Sequence, residues 1–68
     1  MMSRRSALGD ATSRLRAAGV DNAEREAAWL MAHVLSVSVG QLRARGDQVM
    51  DAGLLRRFST LVDRRAAR

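Results

Sequence analysis

One stretch constrains the fold of this chain more than any other. In residues 23–35, AEREAAWLMAHVL, an advance of about 100° per residue puts Ala23, Ala27, Leu30, Met31, Val34 and Leu35 on one broad helical face, which Trp29 widens. Ala28 and Ala32 fill much of the remaining circumference. A helix apolar over most of its surface is packed on several sides, so the spacing predicts the central helix of a small domain. Trp29 on such a helix reads as core rather than as a ligand-stacking group. Asp21 or Asn22 is expected to cap the helix, and Glu24 and Glu26 bring negative charge to the positive end of its dipole.

The rest of the chain supplies elements to surround it. A first helix is expected over 6–18, with Ser6 as N-cap, Leu8, Ala11, Leu15 and Ala18 on one face, and Gly19 as the left-handed residue that ends it. A short helix over 39–45 follows. Ser38 and Gln41 have the spacing of a capping box, Val39 and Leu42 point inward, and Gly46-Asp47 marks a turn. Asp51 should cap a last helix over 52–66, in which Leu54, Leu55, Phe58, Leu61 and Val62 form an i, i+1, i+4, i+7, i+8 stripe. Arg65 falls within that apolar arc, so the helix frays there or the side chain snorkels. Val49 and Met50 should tuck a loop under the bundle. With no proline and 68 residues, there is room for one core. The expected fold is all-α: a small four- to five-helix orthogonal bundle over 6–68, preceded by a disordered segment, 1–5.

Much chemistry is excluded. With no cysteine there is neither a disulfide framework nor a thiolate metal site, and one histidine cannot build a zinc site alone. No serine sits in a glycine elbow, and no glycine-rich phosphate cradle is present. Glu26 and His33 share a helix face but lie about 10 Å apart, too far for direct acid–base coupling, and His33 reads as a partly buried structural residue. Catalytic, cofactor-binding and metal residues are therefore expected to be none. No apolar run approaches the ~20 residues of a membrane span, and Met1-Met2-Ser3-Arg4-Arg5 has no apolar segment behind it. No membrane partner is expected, and the location by default is cytoplasmic.

Binding remains. The net charge of +5 is carried by arginine, with acids interspersed. One reading is a helix-turn-helix, with a turn at Ser36-Val37 and Gln41, Arg43 and Arg45 offered to base edges. Gly40 weakens that recognition helix, the pattern is generic, and nucleic acid is not the favoured partner. A stand-alone helical adaptor is a second alternative.

The favoured reading rests on resemblance. The run LRAAGVDNAEREAAWLMAHVLSVSVGQLRARGD resembles the N-terminal domain of the PrmC/HemK family, the release factor glutamine (N5) methyltransferases. Ala18-Gly19-Val20-Asp21 matches its first turn, Glu26-Ala27 stands where the family has Asp-Ala, and residues 30–35 match its core helix without a gap. Phe58, Leu61, Val62, Arg64 and Arg65 match its last helix. Ala28 stands where the family usually has glutamate, Glu24 where it often has arginine and Ser36 where it usually has glycine. The resemblance implies a substrate-recognition domain for class 1 peptide chain release factors, whose GGQ glutamine is methylated. It also implies an S-adenosylmethionine-dependent methyltransferase domain in cis beyond Arg68, with no cofactor held in this chain. Exposed arginines, Arg43 and Arg45 around the third helix and Arg56 and Arg64 on the last, are the expected partner-binding residues.

Overall fold

A computed structural model describes residues 2–67, and four helices order them: α1 (Arg4–Ala17), α2 (Ala23–Leu35), α3 (Val39–Ala44) and α4 (Ala52–Ala67). The all-α expectation holds. Met1 and Arg68, at the ends of the expected spans, lie outside the described residues. α2 packs against each of the other three helices, and α1 also packs against α4. The largest fully buried side chains come one from each helix: Leu15, Met31, Leu42 and Val62.

The central helix is where expected and its expected face is turned inward, with Leu30 and Leu35 partly buried, but the core extends past that face and stops short of Trp29. α2 buries Ala23, Ala27, Ala28, Met31, Ala32 and Val34, an arc of about 180°. The arc widens through Ala28 and Ala32, whose small side chains admit close neighbours. Trp29 lies about 60° beyond that edge and is 56% exposed, so its assignment to the core is corrected. His33, expected partly buried, is exposed on the same outer stripe. Asn22 is the N-cap, but its backbone is left-handed (φ 55°, ψ 45°) and its side chain makes no capping bond. The usual N-cap is extended, the geometry that brings a side-chain oxygen to the N3 amide.

α1 begins earlier than expected. Ser3, not Ser6, is its N-cap, and Ser3 Oγ accepts from the Ser6 amide at 3.1 Å. The Arg4 and Arg5 amides donate to the carbonyls of Gln48 (2.8 Å) and Gly46 (2.9 Å), and the Met50 amide donates to the Met2 carbonyl (3.0 Å). A Ser3–Val49 antiparallel bridge completes this strap. The expected disorder of residues 1–5 is therefore corrected for residues 2–5: the α3–α4 loop supplies acceptors for first-turn amides that a helix leaves unpaired. Bridge geometry also sorts Val49 from Met50, because neighbours in extended chain face opposite ways. Met50 is buried as expected, whereas Val49 is 55% exposed. At the other end, Gly19 is left-handed (φ 83°), and Val20 and Gly19 donate back to Leu15 and Arg16 in a Schellman closure. Ala18 caps the helix and is exposed, not part of the buried face.

The capping box of α3 is formed in both directions, Gln41 N to Ser38 Oγ at 3.1 Å and Ser38 N to Gln41 Oε1 at 2.9 Å. α3 ends at Ala44, with Arg45 as its cap. Asp51 caps α4 by accepting from Leu54 N at 2.9 Å. The α4 stripe faces inward, Phe58 and Val62 fully and Leu54, Leu55 and Leu61 in part. The helix does not fray at Arg65, which is held by Glu26 of α2.

Candidate partner-binding surface

Three ion pairs tie the three long helices together. Arg14 of α1 pairs with Asp63 of α4, Arg16 of α1 lies 3.6 Å from Glu24 of α2, and Arg65 Nε donates to Glu26 Oε1 at 2.5 Å. Each of α1, α2 and α4 contributes to two of these pairs, so they register the three long helices as a closed triangle. Arg14 also reaches Ser59 Oγ at 3.4 Å. Glu26 pairs with Arg65 of α4, and no Glu26–His33 hydrogen bond is formed.

That accounting leaves eight arginines among the described residues with no side-chain partner: Arg4, Arg5, Arg25, Arg43, Arg45, Arg56, Arg57 and Arg64. All but Arg4 are exposed. The four expected partner-binding residues are in this set, but they do not gather in one place. Arg43 lines grooves at the α1–α2–α3 side of the molecule, beside Arg16 and Glu24. Arg45 caps α3. Arg56 lines a separate concavity of about 350 Å³ between α2 and α4, formed with His33, Arg57, Thr60 and Leu61. Arg64 lies two turns further along α4. These are distinct surfaces.

Sequence reasoning assigned Trp29 to the core and did not count Arg57 among the partner-binding residues, yet both are exposed. The signal was present: Arg25, Trp29 and His33 recur at i, i+4 and i+8, a stripe of polar neighbours around the tryptophan that a buried face would not carry. No histidine–carboxylate cluster able to hold a metal ion occurs among the described residues, and no buried polar side chain is found among them either. No helix among them is long and apolar enough to cross a membrane. The arrangement offers surfaces for contact, and the core is filled.

The helix-turn-helix alternative meets specific obstacles. α3 has six residues, about 9 Å of helix. Gln41 is occupied by the capping box, and Arg45 has left helical geometry (φ −124°, ψ 40°). Of the three side chains assigned to base edges, only Arg43 remains free on the helix.

Comparison with protein families matches the PrmC N-terminal domain over residues 6–68. Comparison with curated proteins and with solved structures finds no match. The matched segment takes in all of α2, α3 and α4 and most of α1, and it leaves out the strap residues Met2 to Arg5.

Proposed function

Because this chain belongs to the PrmC N-terminal domain family, we propose that it is the substrate-recognition domain of a protein-(glutamine-N5) methyltransferase. On this reading it holds a class 1 peptide chain release factor. A methyltransferase domain in cis then transfers a methyl group from S-adenosylmethionine to the GGQ glutamine. A cytoplasmic location belongs to the same reading. The observation that carries it is the family match over 6–68.

The physical role is positioning. A rigid docking surface can restrict the substrate's orientation. Surface arginines free of internal partners suit that task, because they can steer an acidic partner and set its register.

Titration of the isotopically labelled chain with a class 1 release factor tests the proposal. A confined set of surface amides should shift, with α2 and α4 outer residues among them. A release factor that perturbs no amide at concentrations approaching millimolar would sink it. Duplex DNA at two salt concentrations is the control for the rival reading, since binding through phosphates weakens steeply with salt.

A further inference from the structure

The outer stripe of α2 runs through Trp29 to His33, and His33 meets α4 at a shared concavity. Trp29 is the chain's one tryptophan, and it stands 56% exposed. Arg25 and His33, one helical turn to either side, flank it on the same stripe. His33 opens onto the α2–α4 concavity, whose wall includes Arg56 and Arg57 and whose apolar lining is the half-buried Leu61. No carboxylate lines that concavity. On α2, Glu26 is paired with Arg65 and Glu24 with Arg16.

We propose that this face, Trp29 and Leu61 with Arg25, Arg56 and Arg57 around them, docks an acidic protein segment that bears an apolar side chain. The inference rests on the release-factor reading for the identity of the partner and goes beyond it in naming the face and the chemistry. Charge complementarity selects the occupant. A second copy of this chain would set arginines against arginines across a two-fold axis, which like charges oppose. An acidic segment satisfies two or three unpaired guanidiniums with bidentate carboxylates, while its apolar residue covers the indole. Single-stranded nucleic acid could stack on one tryptophan, but successive bases need successive aromatic rings, and the face offers one. Arg43 and Arg45 lie outside this face, so they are not expected to contribute to it.

Trp29 reports on its own occupancy through fluorescence. The 68-residue chain is titrated with a class 1 release factor, a glutamate-rich peptide containing leucine, the same peptide with glutamine for glutamate, and oligo-dT. The acidic peptide should shift the emission. Paired Arg56→Glu and Arg57→Glu substitutions should weaken acidic-peptide and release-factor binding at least ~10-fold, and Trp29→Ala, read by chemical shifts, should do likewise. Arg43→Glu with Arg45→Glu should leave both within about twofold. Trp29→Phe, which keeps an aromatic ring, should retain most of the affinity. Circular dichroism melts confirm that each variant is folded.

If release factor binds but ignores the face variants, the face is overturned and the release-factor reading stands. If release factor does not bind while the acidic peptide does so in a face-dependent way, the reading fails and the face stands. Equal binding of acidic and glutamine peptides, or tighter binding of oligo-dT than of either, overturns the acidic-segment proposal.

Discussion

Gly19 and Ser36 occupy the same kind of position with different side chains. Each closes a helix in the left-handed region, at φ 83° and φ 57°, and each is followed by an amide that reaches back to the last turn, Val20 to Leu15 and Val37 to Ala32 at 3.0 Å. A residue with a Cβ is strained there by about 1–2 kcal/mol, against a backbone entropy cost of about 0.5–1 kcal/mol for glycine. Opposite outcomes are therefore expected from simple exchanges. Gly19→Ala should lower stability by about 1 kcal/mol, visible as a fall of ~4–8 °C in melting temperature. Ser36→Gly should raise stability by about 0.5–1 kcal/mol, read from the urea midpoint at constant slope. A second contrast concerns the two large aromatics. Phe58 is 3% exposed and Trp29 is 56% exposed. Phe58→Ala should cost about 3–5 kcal/mol, a large part of what a domain this size possesses, and Trp29→Ala no more than about 0.5 kcal/mol. Comparable losses for the two would contradict the packing described.

Among the elements, α3 depends most on local chemistry. It has six residues, one fully buried side chain and a reciprocal box at its N-terminus. So short a helix is not stable alone and survives through Leu42 and its cap. Ser38→Ala should cost about 1 kcal/mol and speed hydrogen exchange first at α3 amides, with α2 and α4 less affected. α4 is different. It has 16 residues and the Asp51 cap, and it draws its stability from a stripe facing both α1 and α2. The i, i+3 capping box of α3 and the i, i+4 stripe of α4 were legible because cap and stripe are local patterns. The Ser3 cap was not, because its worth depends on acceptors 40 and more residues away.

For the molecule as a whole, the strap from Met2 to Arg5 joins the first helix to the loop before the last. It provides the α1 cap and three backbone hydrogen bonds to residues 46–50. Deleting residues 1–5 should destabilise the domain by about 2–3 kcal/mol, by the sum of a cap and a few modest hydrogen bonds. Denaturant unfolding measures it, and a change below about 0.5 kcal/mol would show the strap to be dispensable. The ion-pair triangle is expected to matter less. Its members are largely solvent-exposed, each pair is worth up to about 1 kcal/mol, and salt should erode it.

Helix number, order and type, with the inward stripes of α3 and α4 close to their observed extent, follow from the chain alone, because periodicity and caps act over one or two turns. The family follows as well, since Ala18-Gly19-Val20-Asp21 and residues 30–35 are contiguous strings. Tertiary structure decided how far the core face of α2 extends. Arg25 and His33 beside Trp29 already mark its stripe as polar in sequence, but only the approach of neighbouring helices shows that Ala28 and Ala32 complete the core. It also decided which arginines are free, because the partners of Arg14 and Arg65 are 49 and 39 residues away along the chain. The surface that remains for a partner is what three helices leave uncovered and unneutralised. It is a property of their packing, which no single segment encodes.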